Sequence, residues 1–139
     1  MITIRYATME DKPFWFSLDR HLPEPVFARK VAEGSAYVAL MDGTPAGLLR
    51  YNLFWDNTPF CNLLMVKEGC RGLGLGTQLM TFWEKEMKTR GYGMVLTSTQ
   101  ADESAQHFYR KLGYRDCGSL TIDIPLCAQP MELFLLKPL

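Results

Sequence analysis

Ile2, Ile4 and Tyr6 alternate with Thr3, Arg5 and Ala7, the period of a half-buried strand. From Asp11 the period changes. Phe14, Leu18 and Leu22 recur at helical spacing until Pro23 and Pro25 break the pattern, and Val26 to Glu33 predicts a second short helix. "SAYVALMDGTPAGLLRYNLFW" predicts two strands joined at Asp42-Gly43, a dipeptide suited to a tight hairpin because both central residues need φ > 0. "DNTP" is a turn, and "FCNLLMV" at 60–66 is a third consecutive strand, apolar enough to be central and covered on both faces.

Leu79, Met80, Trp83 and Met87 then form an apolar stripe, and Lys85, Lys88 and Arg90 crowd the end before Gly91, where cations suit the helix dipole. This predicts a helix of about four turns beginning near Leu75. "GMVLTSTQ" is a strand, and Ala105, Phe108, Tyr109 and Leu112 share one face of a short helix that Asp102 can cap and Gly113 can end. Ser119 to Ile124 and Met131 to Leu136 are two final strands. The order predicts a mixed sheet with helices on its faces.

A chain of 139 residues, 47% hydrophobic, has the size of one domain, so residues 1–139 are expected to share one core. Fifteen basic residues balance fifteen acidic ones, so no net field draws the protein to nucleic acid or to an anionic membrane. Cys61, Cys70, Cys117 and Cys127 form no C-x-x-C pair and share no spacing with His21 or His107, which argues against a structural zinc site. Scattered thiols suit a reducing cytoplasm. The first residues carry acids where a signal peptide has its apolar run, and no stretch approaches the roughly 18 apolar residues of a membrane span.

"RGLGLGTQLM", Arg71 to Met80, places three glycines at alternate positions between the predicted central strand and the long helix. The first four N–H groups of a helix lack intrahelical partners and carry about half a positive charge, so bare backbone there suits an anion. No carboxylate lies between Glu68 and Glu84, while Lys67 and Arg71 stand at the mouth. A phosphate fits this pattern, and a glycine-rich turn used for packing alone is the other reading. Lys is missing after Gly76, which speaks against a P-loop. Thr77 and Leu79 stand where G-x-G-x-x-G needs its last glycine, and the preceding strands form a hairpin, which speaks against a dinucleotide fold.

The stretch Val66 to Gly76, "VKEGCRGLGLG", resembles the acetyl-CoA signature of the GNAT superfamily of N-acyltransferases: Arg71, Gly74 and Gly76 occupy its Arg or Gln, Gly, and Gly or Ala positions. "DESAQHFYRKLGY", Asp102 to Tyr114, is similar to the family's second signature, Asn-x-x-Ala-x-x-Phe-Tyr, with Asp102 where Asn is usual. The resemblance implies a mostly antiparallel α/β sheet flanked by helices, with one pair of strands splayed at the cofactor. It implies acetyl-CoA as co-substrate and a primary amine of a small molecule or protein as acceptor.

By the same resemblance, the backbone of Leu64, Met65 and Val66 would pair with the pantetheine arm. The N–H groups across Arg71, Gly72, Leu73, Gly74, Leu75, Gly76 and Thr77 would hold the pyrophosphate, and Asp102 would stand near the cofactor, unable to donate a hydrogen bond while ionised. Tyr109 would return a proton to the departing sulfur, a feasible transfer because a thiolate of ordinary pKa about 8.5 accepts a proton readily at short range. Read without the motif, Tyr109 is equally a core aromatic. Family members often carry an acid on the strand before the loop, and "FCNLLMV" has none. Glu68, Asp56, Glu103, His107 or a water held by Asn62 are the substitutes. Phe14, Trp15, Phe54 and Trp55, with the loop Arg20 to Pro25, are candidates for an acceptor cleft. A silent acyl-CoA-binding module is the alternative function. The expected protein is cytoplasmic, acts alone or as a homodimer, and has neither nucleic acid nor membrane as partner.

Overall fold

The computed structural model describes residues 1–139. Its strands are β1 (Ile2–Tyr6), β2 (Ala36–Met41), β3 (Thr44–Phe54), β4 (Thr58–Val66), β5 (Met94–Gln100), β6 (Arg115–Leu120) and β7 (Glu132–Pro138). Its helices are α1 (Lys12–Leu18), α2 (Glu24–Glu33), α3 (Leu75–Thr89) and α4 (Ala105–Lys111), with one 3-10 turn at Met9–Asp11. The strands form a single sheet in the order β1-β2-β3-β4-β5-β7-β6. All neighbours are antiparallel except β4 and β5, which α3 connects as a parallel crossover.

Alternation along β2 and β3 assigns each residue to a layer. Ala36, Val38 and Leu48 join Trp15 and Phe27 of α1 and α2 on one face. Tyr37, Ala39, Leu49 and Tyr51 join Leu79, Met80, Trp83 and Met87 of α3 on the other, where Tyr109 of α4 also lies. The fully buried Val, Leu, Met and Phe side chains among them each contribute about 2 kcal/mol by the area removed from water, as an upper figure. No helix is long and apolar enough to cross a membrane.

The β2–β3 hairpin turns as expected at Asp42 and Gly43, whose φ angles are 50° and 83°. Three expectations shift. The first helix ends at Leu18 and leaves Leu22 in the following loop, because Asp19 takes an extended conformation as its C-cap and turns its carboxylate to Arg50 and Trp15. Pro25 lies in the first turn of α2, so that helix begins at Glu24, ahead of Val26; a proline there loses no helical hydrogen bond. The penultimate strand is Arg115–Leu120 and not Ser119 to Ile124. Arg115 pairs with Leu136, and Gly118 carries a register shift at φ 148°, so pairing with β7 selects the earlier segment. The alternating Leu120, Ile122 and Ile124 run instead into an irregular connection.

β4 is a covered central strand only in its first half; from Asn62 its residues are partly or fully exposed. Cys61 pairs with Tyr51 and Leu63 with Arg50, so Asn62 is an extra residue without a cross-strand partner, a β-bulge. β4 pairs with β5 only at Phe60↔Leu96 and Cys61↔Thr97. Beyond the bulge the two strands part, and residues 62–66 have no partner on the β5 side.

Candidate active site

β4 hands over to α3 through a turn in which Gly69, Gly72 and Gly74 have φ of 89°, 76° and 90°. At Gly72 and Gly74 an added Cβ would meet nothing within 4 Å, so backbone angle, not crowding, selects glycine there. Gly74 is the N-cap of α3, no side chain caps the helix, and no acid stands in its first turn. The first N–H groups of a 15-residue helix therefore face an open cleft of about 450 Å³. Arg71 is the one charged residue in its lining, and its Nε donates to the Val66 carbonyl at 3.3 Å. Gly76 has a different reason: a Cβ there would lie 3.3 Å from the Phe108 ring, so a bare position lets α4 close against α3.

A second cleft of about 400 Å³ fills the wedge between β4 and β5. Asn62, Leu63 and Leu64 form one wall and Thr97 to Gln100 the other, with Ala105 and Tyr109 of α4 closing it. His21 of the α1–α2 loop, Glu103 of the β5–α4 turn and Glu132 at the start of β7 also line it. Leu64 lines both clefts, so they meet there.

Tyr109 is 6% exposed. Burial raises its pKa above the ordinary phenol value, the neighbouring Cys61 adds to the rise, and Thr97 offsets part of it. The hydroxyl is therefore protonated at neutral pH and poised to donate. Burial likewise pushes the Cys61 thiol up to about 12, against smaller opposing effects of Thr97 and the Leu63 backbone. That thiol stays protonated, which makes it a poor nucleophile for a covalent acyl relay.

The α1–α2 loop is anchored just before His21. Buried Asp19 accepts from Arg50 Nε at 2.7 Å and from Trp15 Nε1 at 3.0 Å. Asp19→Ala is expected to cost about 2 kcal/mol, since it strands the Arg50 guanidinium and a buried indole N–H together. A lowered urea midpoint at unchanged slope checks it.

Of the residues expected at the cofactor, Leu64, Val66, Arg71, Gly72, Gly74, Leu75, Gly76 and Thr77 line the first cleft. Leu73 is exposed and outside that lining, and Met65 packs with the α1–α2 layer. Asp102 lies in the turn before α4 and lines neither cleft; Ser104 is the N-cap, so Asp102 does not cap the helix. The expected aromatic acceptor cleft dissolves. Trp15 is fully buried against Phe27, and Phe14 packs in the same cluster. Phe54 and Trp55 edge a separate apolar groove at the β3–β4 turn. Among the substitutes for a strand acid, Glu103 lines the second cleft, while Glu68, Asp56 and His107 do not. Glu132 and Thr97 are not legible in the sequence as cleft residues, because pairing across the sheet brings them there; His21 lies within the Arg20 to Pro25 loop that the sequence points to.

Parted strands, an uncapped glycine-rich helix start and a buried hydroxyl border two clefts that share Leu64. The chain belongs to the Acetyltransferase (GNAT) family, whose pattern matches residues 4–114. It is 36% identical over 83 residues to an uncharacterised N-acetyltransferase of Methanocaldococcus jannaschii, a match spanning 58% of this chain and 52%, about half, of that relative. The fold is that of Ard1 from Thermoplasma volcanium, with a TM-score of 0.86 at 16% identity over 99% of this chain and 97% of that one. It is also that of a GNAT acetyltransferase from Elizabethkingia anophelis determined with acetyl-CoA bound, with a TM-score of 0.77 at 18% identity over 99% and 98% of the two chains.

Proposed function

We propose that residues 1–139 form a single N-acetyltransferase domain that moves an acetyl group from acetyl-CoA to a primary amine of a small molecule or protein. The observation that carries this reading is the junction of the two clefts at Leu64, with the protonated Tyr109 closing the second. The cofactor fits the first cleft because its phosphates meet unpaired N–H groups of Gly74 to Thr77 and no carboxylate. The unpaired edge of Leu64 to Val66 suits an extended amide-bearing arm, which would add to the sheet as a strand. Arg71 braces the loop through the Val66 carbonyl. Leu73, Met65 and Asp102, which line neither cleft, would contribute through their backbone.

In this reading the amine enters the second cleft and attacks the thioester carbon, the C–N bond forms, and the C–S bond breaks. The ammonium loses one proton before attack and a further N–H proton as the amide forms. Tyr109 supplies the proton that the departing sulfur takes up and is restored by one of the two protons lost from nitrogen, and the other goes to solvent. A cytoplasmic location agrees with four free cysteines. The protein would act alone or as a homodimer, with neither nucleic acid nor membrane as partner.

Heat-denaturation scans with acetyl-CoA, CoA and ATP, followed by thiol release across an amine panel, test the reading. Acetyl-CoA at a hundredfold excess over its Kd stabilises the folded state by about 2.7 kcal/mol, and at least one amine releases thiol. Stabilisation without release under any amine indicates a silent acyl-CoA-binding module. No stabilisation reduces the glycine loop to packing.

A further inference from the structure

We infer that a cavity bounded by the ends of α2, β3 and α3 binds a small organic carboxylate, whose anionic head becomes the counter-ion of the buried Lys30. The cavity measures about 360 Å³ and shares no lining residue with the two clefts of the candidate active site. Its β3 residues, Tyr51 to Leu53, pair towards the start of β4, whereas the glycine loop follows the end of that strand. Lys30 of α2 is 8% exposed, and a lysine is almost never buried so deeply unless a carboxylate pairs with it. Here none does. The ion pairs of the chain leave Lys30 out, and its one hydrogen bond runs from Nζ to the Tyr51 carbonyl at 2.6 Å. An ammonium has three donors, so two remain for a ligand. Burial holds this lysine below its ordinary pKa and Arg50 pushes the same way, as does Arg29, against Glu33 and Asp19. Asp19 is itself committed to Arg50 and Trp15.

A second buried donor in the same cavity is under-used. Ser35 is 7% exposed and lines the cavity, yet its hydroxyl reaches only the Lys30 carbonyl at 3.5 Å, the outer limit of a hydrogen bond. Arg90, the C-cap of α3, lines it too; one of its N–H groups goes to the Tyr51 hydroxyl at 3.1 Å, and it takes part in no ion pair. The cavity thus offers a buried ammonium, a buried hydroxyl and an exposed guanidinium. Glu33 and Asp56 also line it and are exposed, so a polyanion is repelled there, while a single carboxylate has less repulsion to overcome on its way to Lys30. Leu53 and the Tyr92 ring supply apolar surface for a short hydrocarbon tail. A carboxylate seated on Lys30 completes the charge-assisted pairing that a buried cation requires.

The test reads Lys30 directly in the whole protein. With ¹³C at the lysine Cε atoms, whose chemical shifts follow the protonation of each amine, the protein is titrated with pH in sodium chloride, acetate, propionate or phosphate at equal ionic strength. Lys30→Met assigns the signal, and Lys30→Arg assigns it equally if the first variant does not fold. A ligand that binds only the ammonium form raises the titration midpoint by linkage, so acetate or propionate at ten times its Kd is expected to raise that of Lys30 by about one pH unit. The other lysines keep their midpoints. Near pH 7 the two carboxylates should also raise the Tm of the wild type by a few degrees above its value in chloride, and in folded Lys30→Met that gain disappears. A Lys30 midpoint equal in all four salts overturns the inference, as does a Tm gain that survives in Lys30→Met. A shift in phosphate and in neither carboxylate overturns it too, leaving a site for an inorganic anion. None of these readouts depends on thiol release, so failure here leaves the transferase reading untouched.

Discussion

Tyr109→Phe is expected to lower kcat by roughly 10²-fold while acetyl-CoA affinity stays within a few fold, the pattern of a lost proton donor. The ring packs edge-on against Phe108 and Tyr114 at centroid distances of 5.3 and 5.7 Å, and phenylalanine keeps both contacts. The lost hydroxyl gives up a side-chain contact with Thr97 and none with a carboxylate or carbonyl, so the loss of stability should stay within about 1 kcal/mol. Tyr114→Phe is the control. Its hydroxyl donates to buried Glu84, which also holds Lys137 at 2.8 Å, so the same chemical change there costs about 1 to 2 kcal/mol of stability and spares kcat. A stable Tyr109→Phe protein with full kcat would remove Tyr109 from the chemistry and leave the proton to water.

Gly74→Asp is expected to weaken CoA and acetyl-CoA binding by about 10²-fold or more in a protein that still folds. Gly74 caps α3, its φ is 90°, and an added side chain meets no atom within 4 Å, so the new carboxylate stands in the cleft where the pyrophosphate would lie. Losing two charge-assisted N–H contacts accounts for a change of that size, before any repulsion is added. The left-handed backbone adds strain of about 1 kcal/mol, which aspartate tolerates better than most residues. Gly74→Asn carries the same strain without the charge and should bind much more tightly. Calorimetry on the two variants separates field from strain, and unchanged affinity in folded Gly74→Asp would falsify the assignment of this loop.

The glycine loop and the helix it opens were legible because their cause is local. Asp42-Gly43 adopts positive φ for the same reason, and the Ala105, Phe108, Tyr109 and Leu112 face buries as its spacing predicts. The errors share a different cause. Trp15 and Phe14 have the composition of a binding surface and the burial of a core, and periodicity does not distinguish the two. Leu120, Ile122 and Ile124 alternate like a strand, but β7 pairs with Arg115 to Leu120.

By itself the sequence determined the mixed α/β class, the bare helix start and the residues of both family signatures, since each depends on neighbours within a few positions along the chain. Only the tertiary structure decided that β7 lies between β5 and β6, that the Asn62 bulge parts β4 from β5, and that His21, Glu103 and Glu132 share a cleft with Tyr109. Those facts depend on contacts between segments from 10 (Tyr51 with Cys61) to 111 (His21 and Glu132) residues apart, chosen by the packing of whole layers, and no single local pattern of side chains encodes them.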